Sequence, residues 1–178
     1  MNRKKLTPTL EDNLMKQKEQ RPVTIAIEAF VTAQEIQRLR DVAYCAGLFD
    51  GDGSVFVSHQ HIRGRKNPSY RLCLSLVQND LPTVENFQRI LGLPSHIMAV
   101  KRKVDQNKQV YDLRYYGEHA LGALRLMHDD LVRKRWESEV AQQFWVEALM
   151  GVLPGPNGLP PGIWKVRESY RRKLSKLK

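Results

Sequence analysis

Two segments of this 178-residue chain alternate apolar and polar side chains, and that alternation limits the folds open to it. In YRLCLSLVQ (70–78), Leu72, Leu74 and Leu76 alternate with Arg71, Cys73 and Ser75. In QVYDLRYY (109–116), Tyr111, Leu113 and Tyr115 alternate with Val110, Asp112 and Arg114. Successive strand residues point to opposite faces, so each segment reads as a strand with one face to bury and one to leave outside. Each has a neighbour to pair with. GSVFVSHQHI (53–62), with Val55 and Val57 on one face, precedes the first across a basic turn containing Gly64, Asn67 and Pro68. IMAVKRKV (97–104) precedes the second across Asp105, Gln106 and Asn107. Both pairs predict hairpins.

Helical signals separate them. Thr32 and Glu35 form a capping box, in which hydroxyl and carboxylate satisfy the first free amides of a helix running TAQEIQRLRDVAYCAGLFD. Ile36, Leu39, Val42 and Leu48 are among its apolar positions, and it should end near Asp50 or Gly51. LPTVENFQRILG has Pro82 early and Gly92 just past its end, the usual asymmetry of a short helix. EHALGALRLMHDDL and WESEVAQQFWVEALM predict two more, the latter with Trp136, Phe144 and Trp145 as packing residues. The order is α-ββ-α-ββ-α-α, an α+β arrangement with one antiparallel sheet and helices on one face. Residues 1–31 form an N-terminal extension in which VTIAIEAFV is apolar enough to dock as strand or helix. Residues 32–152 form the core domain, and 153–178 a Pro/Gly linker and a basic C-terminal tail.

Twenty-nine Lys and Arg against 19 Asp and Glu give a net charge of +10, which favours a polyanionic partner. The cations cluster at Arg63, Arg65, Lys66 and Arg71, at Lys101–Lys103, at Arg133–Arg135, and in the C-terminal WKVRESYRRKLSKLK, where seven basic residues face one Glu. That last segment is expected either to contact phosphates or to be solvated. No apolar run approaches a membrane span, and the polar N-terminus lacks the apolar stretch of a secretory signal. Cys45 and Cys73 both lie in apolar segments, which predicts reduced core thiols in an intracellular protein. His59 and His61 share a strand face but have no third ligand, so solvent or DNA contact is the expectation, and His96, His119 and His128 form no constellation.

The stretch YCAGLFDGDGSVFV (44–57) is less ordinary. Ala43, Gly47 and Gly51 recur every four residues, a helix stripe without side chains along which a second backbone can approach closely. Asp50 and Asp52 follow at the helix C-terminus, where the dipole disfavours carboxylates by a few tenths to about 1 kcal/mol. A twofold seam would bring two such acidic ends together, and a hard divalent cation would relieve the repulsion. The alternative is that Asp50–Gly53 is only a turn. An EF-hand loop fails, because the twelfth position from Asp50 is His61 rather than Glu.

CAGLFDGDG (45–53) closely resembles the LAGLIDADG signature of homing endonucleases. Ala46, Gly47, Leu48, Asp50, Asp52 and Gly53 match it literally, Phe49 and Gly51 are common variants, and Cys45 replaces the usual first Leu. The resemblance extends over roughly residues 32–150, because the family core is αββαββα with the motif on its first helix and a saddle-shaped antiparallel sheet. A single motif implies a homodimer with Ala43, Gly47, Asp50 and Gly51 at its interface. The resemblance also implies that the polar sheet face lies in the DNA major groove. Its reading residues would be Ser54, Phe56, Ser58, Gln60, Arg63, Arg65, Lys66, Arg71, Cys73, Ser75, Lys101, Arg102, Lys103, Asp112 and Arg114.

Carried over position by position, Asp52 is the metal-ligating acid, joined by the Gly51 carbonyl. Gln78 organises the metal-bound water and Lys134 lies near the scissile phosphate, while Asp50 is not a metal ligand and either caps or supports the interface. The implied activity is Mg²⁺- or Mn²⁺-dependent hydrolysis of both strands of a pseudo-palindromic double-stranded DNA site, with intron homing as its expected biological setting. The alternatives on the same fold are a group I intron RNA maturase, with host intron RNA as partner, and a DNA-binding regulator without catalysis. An organelle (chloroplast or mitochondrion) or a bacterial cytoplasm is the expected compartment.

Overall fold

The computed structural model describes residues 32–61, 63–64, 68–100, 109–150, 152, 159–160 and 162–177. The chain divides into two compact units, Met1–Arg40 and Asp41–Lys178. Of the first, residues 32–40 are described; they are helical and exposed. Residue 32 is already helical, so the capping-box boundary and the expected docking of VTIAIEAFV lie outside the described residues.

The first helix is α1 (32–52); its residues 41–52 belong to the second unit and pass directly into β1 (Gly53–Gln60). There follow β2 (Ser69–Gln78), α2 (Leu81–Leu91), β3 (His96–Val100), β4 (Val110–Tyr116), α3 (Glu118–Met127), α4 (Arg135–Phe144) and α5 (Ile163–Lys176). A short 3₁₀ turn, His128–Asp130, links α3 to the loop before α4, and Trp145–Leu149 extends α4 as a π turn. The four strands form one antiparallel sheet in the order β1-β2-β4-β3. Both expected hairpins are present, with β2 and β4 as the central pair.

The pairing register explains why the sheet has two unlike faces. Val55 opposes Leu74, which opposes Tyr115; Leu76 opposes Leu113. These residues are buried under α2, α3 and α4, which contribute Val84 and Phe87, Leu121 and Leu124, and Val140 and Phe144. The opposite parity places Ser54, Ser75, Arg114 and His96 in one row across all four strands, with Phe56, Cys73 and Tyr116 in the next.

Three expectations about burial need correcting. On α1 the buried positions are Val42, Cys45, Ala46 and Phe49, spaced i, i+3, i+4, i+7, whereas Ile36 and Leu39 are exposed. Trp136 is 56% exposed, so of the three aromatics on α4 and its extension it is not a packing residue; Phe144 is. The basic C-terminal segment is not a free tail. Leu174 is fully buried and Tyr170 nearly so, and Tyr170 stacks obliquely on Phe144 with ring centroids 5.8 Å apart. Its hydroxyl donates to Glu147, Arg167 Nε donates to the Ala148 carbonyl at 3.0 Å, and Tyr70 Oη donates to Glu168 at 3.2 Å. The amphipathic spacing of α5 buries one side and leaves Lys165, Arg172 and Lys173 on the other.

Candidate functional site

Asp52 is the last helical residue before the β1 strand begins at Gly53. There is no loop between helix and strand, and the junction depends on glycine. A Cβ on Gly53 would lie 2.1 Å from Cδ2 of the fully buried Phe49, so any larger residue would displace a core ring. Gly53 pairs with Leu76, and the antiparallel register therefore brings the end of β2 back to the end of α1. Gln78 Nε2 donates to Asp52 Oδ2 at 2.5 Å. Two residues separated by 26 positions, singled out in the sequence for the same site, are thus in direct contact.

Asp50, two positions earlier, does something different. Its residue is 8% exposed, and its carboxylate turns into the chain. Oδ2 accepts from the backbone N–H groups of Val132 at 2.7 Å and Arg133 at 3.1 Å, and Oδ1 accepts from that of Lys134 at 2.9 Å. Lys134 is the N-cap of α4 and offers no capping side chain, so the acid at the end of α1 accepts amide protons at the start of α4. Burial pushes the Asp50 carboxyl up, but the three backbone donors and the nearby Lys134 charge outweigh it and leave the group below its ordinary range. These bonds commit the carboxylate within the chain, which is the capping role, one of the two expected for Asp50. They also fix the position of the Lys134 backbone relative to Asp52.

The second sheet face carries most of the remaining predicted residues. Ser54, Phe56 and Ser58 are half-buried, and Gln60, Arg63 and Arg71 are exposed. The Arg71 guanidinium lies over the Tyr116 ring, 5.7 Å from its centroid. Cys73, Ser75 and Asp112 are buried, so they lie beneath the surface layer instead of being presented for contact. Burial raises the Cys73 thiol pKa, against the lowering effect of bonds with Ser58. Ser75 Oγ donates to Asp112 Oδ1 at 2.6 Å, and Arg114 Nε donates to Asp112 Oδ2 at 2.8 Å. Arg65, Lys66 and Lys101–Lys103 lie outside the described residues. Sequence reasoning missed Tyr116, His96, Met98 and Val77 on this face, although the alternation of β2 and β4, continued one step, places Val77 and Tyr116 there.

The comparisons bear on this arrangement. No family model and no curated protein matches the sequence. Solved structures do. The homing endonuclease I-CvuI, in complex with its target in the presence of Ca²⁺, aligns over 80% of this chain and 85% of its own with a TM-score of 0.65 at 18% identity. The archaeal intron-encoded homing endonuclease I-Vdi141I, complexed with DNA, aligns over 77% and 83% with a TM-score of 0.57 at 16% identity. The LAGLIDADG homing endonuclease I-LtrWI, bound to target DNA, aligns over 75% of this chain but 42% of its own, with a TM-score of 0.54 at 14% identity. The fold is that of the LAGLIDADG homing endonucleases.

In this LAGLIDADG fold the motif spans the end of α1 and the first residue of β1, and its glycines have different reasons. Gly53 is required by Phe49, as above. Gly47 and Gly51 are exposed, and a Cβ on either would meet nothing within 4 Å among the described residues. Ala43 is exposed beside them. Among the described residues no group of three or more His, Cys, Asp or Glu is placed to hold a metal ion. The donor set of the LAGLIDADG motif is therefore sparse: one exposed carboxylate, with Gln78 on Oδ2. Mg²⁺ keeps several waters and takes one or two carboxylates plus substrate phosphates, so this set fits a metal whose remaining ligands come from outside the described residues, not a cage within them.

Proposed function

We propose that the protein is a homodimeric, divalent-metal-dependent endonuclease that cuts both strands of a specific double-stranded DNA site. The observation that carries this is the Asp52–Gln78 contact at the end of the motif helix, next to a polar sheet face, in a chain with a net charge of +10. Asp52 and the Gly51 carbonyl would hold the metal, each with its counterpart from the second copy. A divalent ion bound there supplies an acidified water and offsets charge on the phosphate. Gln78, already donating to Asp52, fixes the orientation of that carboxylate and lies close enough to hold a water beside it. Lys134 supplies positive charge for the oxygens of the pentavalent phosphate, in a loop anchored by Asp50.

The seam between copies is the Ala43–Gly47–Gly51 stripe. A glycine inside a helix costs about 0.5–1 kcal/mol relative to alanine. Among the described residues nothing occupies the space a Cβ would fill at Gly47 or Gly51, so packing against them does not account for either glycine. Twofold symmetry then makes the target pseudo-palindromic.

The test is incubation with a randomised duplex library and Mg²⁺, with sequencing of the ends, for wild type and Asp52→Asn. Cleavage of a pseudo-palindromic site by wild type, with binding but no cleavage by Asp52→Asn, is expected. Site-selective binding without cleavage by either would exclude the nuclease and leave a DNA-binding regulator.

A further inference from the structure

The polar sheet face holds one charged group that is out of place there. Asp112 is 4% exposed and lies on a surface that, on the reading above, faces a polyanion. A buried carboxylate is stable only when its oxygens are matched by donors, and here both are taken. Oδ1 accepts from Ser75 Oγ at 2.6 Å. Oδ2 accepts from Arg114 Nε at 2.8 Å and lies 2.6 Å from its Nη2. The acid therefore offers a ligand nothing; its whole effect is on Arg114.

That effect is geometric. A guanidinium has five N–H donors in a rigid plane. Asp112 takes the side formed by Nε and Nη2, which fixes the plane, with the Tyr116 side chain as a further hydrogen-bonding partner of the guanidinium, and the terminal edge formed by Nη1 and Nη2 is the one the acid does not take. Two parallel N–H groups at that spacing match the N7 and O6 acceptors that guanine displays in the major groove, a pattern the other bases lack. The arginine is accessible while its partner is not: the side chains are 37% and 6% exposed. Position agrees as well. Arg114 lies in the row Ser54–Ser75–Arg114–His96 that crosses all four strands, on a central strand and away from the rim where phosphate contacts would lie. An arginine already held in one orientation also loses less side-chain freedom on binding than an unpaired one such as a mobile surface residue would.

We propose that Arg114 is a guanine-reading residue, set in its reading plane by Asp112 and Ser75. The proposal rests on the DNA-binding reading above and adds to it one base at one position, once per half-site. Neither Asp112 nor Ser75 touches DNA; both are positioning residues, which is why they are buried.

The test is selection of bound sequences from a randomised duplex library without divalent metal, so that catalysis plays no part. Wild type should select guanine at the position facing Arg114, with a preference of about five- to 150-fold. Arg114→Lys should keep that preference in weaker form. Arg114→Ala should lose it there and nowhere else. Because Arg114→Ala strands a buried carboxylate, the neutral pair Asp112→Asn with Arg114→Gln serves as a second variant. It should shift that one position from guanine towards adenine, the base a Gln side chain pairs with. A preference that survives Arg114→Ala and the double variant unchanged overturns the proposal while leaving the DNA-binding reading intact. So does a loss spread equally over all positions, which is what a purely structural ion pair would give. If wild type selects no sequence at all, both readings fall.

Discussion

Replacing Asp50 removes the acceptor for three backbone N–H groups at once, and the structure allows the cost to be worked out. Hydrogen bonds to charged groups contribute about 1.5–3 kcal/mol each, and a buried donor left without a partner loses about 1–3 kcal/mol. Val132 and Arg133 are exposed, so part of their amide hydration would be recovered, whereas Lys134 is half-buried. Asp50→Ala should therefore destabilise the fold by about 2–4 kcal/mol, or roughly 5–15 °C in Tm for a chain of this size. Asp50→Asn keeps one acceptor oxygen but turns an amide towards an N–H, for a loss of about 1–2 kcal/mol. The pH dependence gives a sharper check. The folded carboxyl lies below its ordinary value, so its stabilisation is present above the unfolded pKa and is lost as pH falls through the folded one. The gap between wild type and Asp50→Asn should be full at pH 7, narrow below about pH 4 and close in stronger acid. Urea unfolding of both chains at several pH values measures it, and other carboxylates cancel in the difference. An Asp50→Ala chain within about 0.5 kcal/mol of wild type at pH 7 would refute the capping argument, and so would a gap that does not change with pH.

Other substitutions test other parts of the structure. Gly47→Ala should stabilise the isolated chain by up to about 1 kcal/mol in dilute unfolding experiments, because its Cβ meets nothing among the described residues, yet weaken self-association in sedimentation. Undiminished association of a bulkier Gly47→Leu chain would rule out the seam. Leu174→Ala should cost about 2–5 kcal/mol, since Leu174 is fully buried in the common core; a loss below about 1 kcal/mol would mean that α5 does not hold the body together. Cys45 and Cys73 are both fully buried, and burial followed by the charge of Asp41 pushes the Cys45 thiol up to about 12. Neither should react with a thiol reagent at pH 8 until denaturant is added, and rapid labelling of the native chain would contradict this burial. Asp52→Asn should leave stability nearly unchanged, because Asp52 is exposed, while abolishing any metal-dependent cleavage seen with wild type.

Much of the molecule was legible in the residue pattern. The alternation of Leu72, Leu74 and Leu76 and of Tyr111, Leu113 and Tyr115 predicted two strands with one buried face each, and those six residues do lie on the helix-covered face. Pro82 and Gly92 marked α2, and Gly92 closes it in the left-handed region at φ 63°, its N–H returning to the Gln88 carbonyl. Asp52 and Gln78 were singled out by the resemblance of CAGLFDGDG to the LAGLIDADG signature, Asp52 as its final acid and Gln78 as the glutamine that ends the second strand. Polarity predicted less well which positions are covered. Ser75, Cys73 and Asp112 look outward-facing by period, and they do share the outer face, yet all three are buried, with Asp112 bonded to Ser75 and Arg114. A central strand is flanked on both sides, and its place in the sheet is not written in its own residues.

The sequence by itself determined the local units: strands of period two, helices with their stops, a helix–strand junction rich in acid and glycine, and an excess of positive charge. These follow from short-range physics, where each residue's conformational preference and the spacing of its apolar neighbours suffice. Only the tertiary structure decided what the acids do. Asp50 and Asp52 are two residues apart and chemically identical, but one is turned inward to three amides more than 80 positions away and the other outward to Gln78. That difference arises because a helix rotates each successive side chain by about 100°, so two residues place the carboxylates on nearly opposite sides. The chain that each then meets is set by how the strands and α4 fold back. The same holds for Arg114, whose plane is set by an acid on its own strand and a serine from the next.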